Sequence, residues 1–133
     1  MKFVVDTNVL FTQFWKDSFT KELFKDPRLE LYSPEFALEE IKYHIQEIID
    51  KTAISKEEFI RLRLELTSLI EFIPLLEYSE KLKEVQRFIP DVSDIDFFAL
   101  AIDLGCPVWS NDAELKKQNK VEVFTTEEII RLL

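Results

Sequence analysis

Short apolar runs alternate along the chain with stretches where apolar residues recur every three or four positions, which predicts strands separated by helices. Lys2–Asp6 carries the first run, Phe3-Val4-Val5, and stops at Asp6-Thr7-Asn8; it reads as a buried strand. Val9–Trp15 then enters a helix, Phe19–Phe24 continues the helical layer, and Leu29–Tyr32 reads as a second strand. Ser33-Pro34 has the form of a helix start, serine as cap and proline at the first position. The helix that follows carries Ala37, Leu38, Ile41, Ile45, Ile48 and Ile49 on one face.

Ser55-Lys56-Glu57-Glu58 has capping-box spacing and opens a second amphipathic helix bearing Phe59, Leu62, Leu66, Leu69 and Ile70. Phe72-Ile73 reads as a short strand, and Tyr78–Phe88 as a more polar helix closed by Pro90. Asp91-Val92-Ser93-Asp94 precedes an apolar helix, Phe97–Leu104, stopped by Gly105. Pro107–Ser110 is a strand, Ala113–Lys117 a short helix, Val121–Phe124 the last strand and Thr125–Leu133 the last helix. Strands separated by helices imply a parallel sheet covered on both faces, a three-layer α/β/α sandwich.

At 133 residues the chain is expected to form a single domain over residues 1–133. Its longest apolar run, Phe97–Ile102, falls far short of the roughly 20 residues a membrane span needs, so no membrane partner is expected. A single cysteine, Cys106, permits no internal disulfide, and Asp6 does not suit a secretory leader, which together predict a cytoplasmic location. The one glycine, Gly105, excludes Gly-rich phosphate loops, and one histidine, His44, excludes a multi-histidine zinc site. Chemistry in this chain therefore rests largely on carboxylates. A net charge of −9 argues against general nucleic-acid coating, but not against a nuclease whose acids are neutralised by cations.

In a parallel sheet, functional groups collect at the carboxyl ends of the strands. Asp6 ends the first strand and Asp112 follows the fourth by two residues; Asp94 joins them if its helix start faces the same edge. Each of the three also stands where a helix N-cap is favoured, so capping is the competing reading. Glu39 and Glu40 are adjacent in the helix after Ser33-Pro34. Glu40 falls at the margin of the buried face, whereas Glu39 falls among Lys42, Gln46 and Asp50. His44 reads as a boundary residue, Cys106 as a small buried hydrophobe, and Phe11, Phe14 and Trp15 as core or as an interface with a second copy.

Val4-Val5-Asp6-Thr7-Asn8-Val9-Leu10 resembles the opening motif of PIN-domain nucleases. Ser33-Pro34 through Leu38-Glu39-Glu40-Ile41, Asp94-Ile95-Asp96 with Phe98-Ala99-Leu100-Ala101, and Val108-Trp109-Ser110-Asn111-Asp112 resemble the second, third and fourth, in order. The resemblance implies a PIN-like fold with Asp6, Glu40, Asp94 and Asp112 as catalytic and metal-holding acids. It makes Asn8 and Ser110 polar supports and Asp91 and Asp96 extra acids, leaving Glu39 or Glu40, and Asp94 or a neighbour such as Asp96, open as ligand.

Clustered carboxylates repel unless a cation intervenes, and hard oxygen donors favour Mg²⁺ or Mn²⁺. One or two such ions activate a water for in-line attack on a phosphodiester. The resemblance implies single-stranded or structured RNA as substrate, a 5′-phosphate and a 3′-hydroxyl as products, a homodimer, and either a toxin with an antitoxin partner or an RNA-processing nuclease. Lys116, Lys117 and Lys120 are candidates to hold the RNA backbone, or form a solvated face. Two other classes stay open. One is a haloacid-dehalogenase-like phosphatase, which wants a second Asp where this chain has Asn8; the other is a catalytically silent acidic module that only binds a partner.

Overall fold

A computed structural model describes all residues, 1–133. Five strands make one parallel sheet: β1 (Lys2–Val5), β2 (Glu30–Pro34), β3 (Glu71–Ile73), β4 (Val108–Trp109) and β5 (Val123–Phe124). Their spatial order is β3-β2-β1-β4-β5, so the chain builds outward from β1 in one direction and later returns to its other side. The reversal lies between β1 and β4, the topological switch point where open parallel sheets bind ligands beyond the strand carboxyl ends. Phe3 pairs with Leu31 and Val5 with Trp109, while the Asp6 amide donates to the Trp109 carbonyl at 2.9 Å.

Nine α-helices surround the sheet: α1 (Thr7–Leu10), α2 (Thr20–Leu23), α3 (Phe36–Tyr43), α4 (Ile45–Thr52), α5 (Lys56–Leu69), α6 (Leu75–Tyr78), α7 (Leu82–Gln86), α8 (Val92–Leu104) and α9 (Thr126–Leu132). The result is the expected α/β/α arrangement. The apolar α8 packs on β1, β2 and β4, which is why Phe97, Phe98, Ala99, Leu100 and Ala101 are all buried. Thirty-three buried hydrophobic residues form one core, in which Phe14 stacks on Phe59 and Phe24 meets Trp109 edge-on. No helix is long and apolar enough to cross a membrane.

Several boundaries differ from the sequence pattern. Ser33 and Pro34 end β2 rather than start a helix: the Ser33 hydroxyl donates across the sheet to the Val5 carbonyl at 2.9 Å, and Pro34 pairs with Ile73. The helix expected through Ile49 breaks at His44, whose backbone leaves the helical region, giving α3 and α4. Tyr78–Phe88 is α6, a 3₁₀ turn over Ser79–Lys81, and α7 rather than one helix. The segment after α1 continues as a 3₁₀ turn, Phe11–Phe14. Gly105 ends α8 at φ +66°, the left-handed conformation that glycine adopts without strain. Ser55 caps α5 as expected, but Glu58 turns away to Arg61, so only half of the capping box forms.

Candidate active site

The carboxyl ends of β1 and β4 adjoin at the switch point, and the side chains that follow them make a small hydrogen-bonded unit. Asp6 is buried, only 6% exposed, and both of its oxygens are engaged. Oδ1 accepts from the Thr7 amide at 2.8 Å, and Oδ2 accepts from the Ser110 hydroxyl at 2.7 Å. The same Ser110 oxygen accepts from the Asp112 amide at 3.1 Å, so one fully buried serine fixes both aspartates. Asp112 in turn caps the 3₁₀ turn Ala113–Lys117, its Oδ1 accepting from the Glu114 amide at 3.0 Å. Capping and site geometry are therefore compatible at Asp6 and Asp112.

Asp94 is not the cap of its helix. Asp91 is, accepting from the Ser93 amide at 2.9 Å, which leaves the half-buried Asp94 carboxylate in the first turn of α8 without a hydrogen-bond partner. Its surroundings are negative. Burial, and then the like charges of Asp6, Asp91, Asp112 and Glu40, push its carboxyl up to about 6. Burial also raises Asp6, with Ser110 and Thr7 pulling the other way and Asp112 adding to the rise. Glu40 is raised by burial against the pull of Thr7 and His44, with Asp6 and Asp96 adding repulsion. Asp6, Asp112 and Glu40 thus each act on Asp94 through space, although the four come from separate stretches of chain.

Glu40 points inward, where Oε1 accepts from the Thr7 hydroxyl at 3.3 Å, whereas Glu39 is exposed and 4.0 Å from Arg63. Asp96 lies one half-turn beyond Asp94 and accepts from the buried Tyr78 hydroxyl at 2.5 Å. Asn8 is exposed and its side chain bonds none of the acids, while its neighbour Thr7 makes the contact to Glu40. Sequence reasoning gave no role to Thr7 or Tyr78. The signal for Tyr78 is the need of a buried phenol for a partner, and for Thr7 its place beside a strand-end acid.

A cavity of about 570 Å³ opens between the acids and the basic segment, with Asp91, Asp94 and Asp112 on one side and Lys117 and Lys120 on the other. Lys116 is ion-paired with Glu128 on α9 and does not line this space. Lys117 does, although it also pairs with Glu114 at 2.8 Å.

The family model of the PIN domain matches residues 4–131. The chain belongs to the PIN domain family. Eight solved chains match this PIN domain. One, from VapBC2 of Rickettsia felis solved bound to a DNA fragment from its promoter, superposes with a TM-score of 0.63 at 17% identity, covering 94% of this chain and 98% of that chain. Among curated proteins none matches.

PIN domains are generally nucleases and typically use divalent metal ions. The residues here fit such an ion in kind. Carboxylates held by neutral donors, with no lysine or arginine paired to Asp6, Glu40, Asp94 or Asp112, leave a negative field for a cation to neutralise. No three Asp, Glu, His or Cys side chains form a finished cage.

Proposed function

We propose that this PIN domain is an Mg²⁺- or Mn²⁺-dependent endoribonuclease with Asp6, Glu40, Asp94 and Asp112 as its acidic site, working in the cytoplasm. The observation that carries the reading is the coupling of buried Asp6 and of Asp112 through Ser110, with Asp94 and Glu40 held in the same negative field. A bound divalent cation supplies charge neutralisation and activation of the attacking water. Ser110 holds Asp6 and the Asp112 backbone in register, and Thr7 ties Glu40 to the same corner. Asp96, braced by Tyr78, adds negative charge beside Glu40. Lys117 and Lys120 stand across the cavity, where they attract the phosphate backbone without neutralising the acids directly. Hydrolysis adds water to phosphorus and breaks the P–O3′ bond, giving a 5′-phosphate and a 3′-hydroxyl.

The test is cleavage of a mixed RNA pool with Mn²⁺ or Mg²⁺ by the wild type and by Asp6→Asn and Asp94→Asn. Cleavage lost in both variants supports the reading; cleavage that survives both overturns it. The likeness in fold to a VapBC2 chain favours one biological role, the toxin of a toxin–antitoxin pair, acting as a homodimer with an antitoxin covering the acidic cleft. Induced expression arresting growth in the wild type, and not in Asp6→Asn, separates that role from RNA processing.

A further inference from the structure

A second cavity, of about 650 Å³, lies beside the acidic site on the other side of α1. The turn that sends Thr7 toward Glu40 sends Asn8 into this space, and Asn8 is only two residues from Asp6, within roughly 6 Å along the backbone. Phe11 and Trp15 form its aromatic side, Trp15 with 39% of its surface exposed. Phe11 meets His44 edge-on at 6.3 Å, and His44 acts electrostatically on Glu40, which links this cavity's aromatic side to the acids.

Lys16 and Lys51 line the same cavity, Lys51 with a partner in Glu47 at 2.9 Å and Lys16 with no carboxylate within ion-pair distance. Two lysines beside an accessible indole stand out in a chain of net charge −9. A flat aromatic face with nearby cations is the arrangement that holds an unpaired base and its phosphates, and the volume falls in the range of ligand pockets. The Asn8 amide makes no side-chain hydrogen bond within the protein, and with the Asp17 carboxylate it offers donors and acceptors to a base edge.

The geometry points to a nucleotide subsite. An unpaired base of the RNA strand stacks on Trp15, with Lys16 and Lys51 on the adjoining phosphates, while the strand continues past α1 to the acids. The subsite takes an unpaired base and rests on the ribonuclease reading. Shape favours a base over a peptide because the lining pairs one open aromatic face with cations rather than forming a continuous apolar groove.

Trp109 is fully buried, so quenching of tryptophan emission on binding reports Trp15. The full chain, in EDTA to prevent cleavage, is titrated with a short oligoadenylate and with an abasic strand of equal length. The expected result is saturable quenching by oligoadenylate and weaker binding of the abasic strand. Calorimetry follows the variant that lacks the reporter, and Trp15→Leu is expected to weaken oligoadenylate binding roughly 5- to 150-fold, the range of one base–aromatic stack. Lys16→Ala with Lys51→Ala lowers the salt slope by about 1.4, near 0.7 per phosphate contact. Equal binding of both strands, unchanged affinity in Trp15→Leu, or quenching by an acidic peptide and not by RNA overturns the subsite. The two readings fail separately. RNA that is cut with KM unchanged in Trp15→Leu removes the subsite alone, whereas RNA that quenches Trp15 but is never cut with Mn²⁺ removes the ribonuclease reading alone.

Discussion

Ser110 is the residue whose loss the geometry makes most informative. In Ser110→Ala the buried Asp6 carboxylate loses the donor on Oδ2 and the Asp112 amide loses its acceptor. A hydrogen bond to a charged group is worth about 1.5–3 kcal/mol, and a deprived, partly buried amide adds about 1 kcal/mol. The expected loss near neutral pH is therefore about 2.5–4 kcal/mol, which for a domain of this size lowers Tm by roughly 9–14 °C. The loss depends on pH with a definite sign. The Ser110 bond pulls the Asp6 carboxyl down against burial, so its removal raises that group further and the variant is penalised where Asp6 is ionised. Urea denaturation in EDTA at about pH 4.5 and about pH 7.5 separates the two regimes, and the difference between wild type and variant grows with pH. A loss under about 0.5 kcal/mol, or one equal at both pH values, refutes the reasoning.

The raised Asp94 carboxyl makes a second pH prediction. Between about 4 and about 6 the native state holds a proton that the unfolded chain has released, so without divalent cations stability falls as pH rises through that window and is flat above it. Asp94→Asn makes the slope shallower, leaving the share of Asp6 and Glu40, and raises the cation-free Tm near neutral pH, as measured by paired melts of the two proteins. At the adjacent glutamates, Glu40→Gln is expected to cut RNA cleavage at least tenfold and Glu39→Gln to leave it within about twofold, because only Glu40 faces the other acids. Tyr78→Phe frees Asp96 and leaves a small gap in polar contact; chemical denaturation is expected to register a loss of about 1–2 kcal/mol with the fold intact.

The strand ends were legible because hydrophobic runs stop where polar side chains begin, and Asp6 and Ser110 sit at those stops. Ser33 was misread for a physical reason: a serine before proline serves a helix start or a strand edge equally well. The deciding partner, the Val5 carbonyl, lies 28 positions away. The break at His44 had no local breaker to announce it, since the flanking residues all tolerate a helix. The inward turn of Glu40 followed from its place on the wheel, yet the contact that holds it there comes from Thr7, on another element. Lys116 looked as free as its neighbours until the fold laid α9 beside it and Glu128 took its charge. The cavity under Trp15 was beyond reach of pattern, because a Phe-Thr-Gln-Phe-Trp segment reads as core until one ring is left outside.

Mn²⁺ titration by calorimetry at about pH 6, in two buffers of different ionisation enthalpy, tests most directly whether these acids jointly hold a cation. The predicted result is one binding event that releases a fraction of a proton, about half where Asp94 is half titrated, and that weakens at least tenfold in both Asp6→Asn and Asp94→Asn. Mn²⁺ binding of equal affinity in wild type and both variants, or no binding to the wild type, contradicts the account.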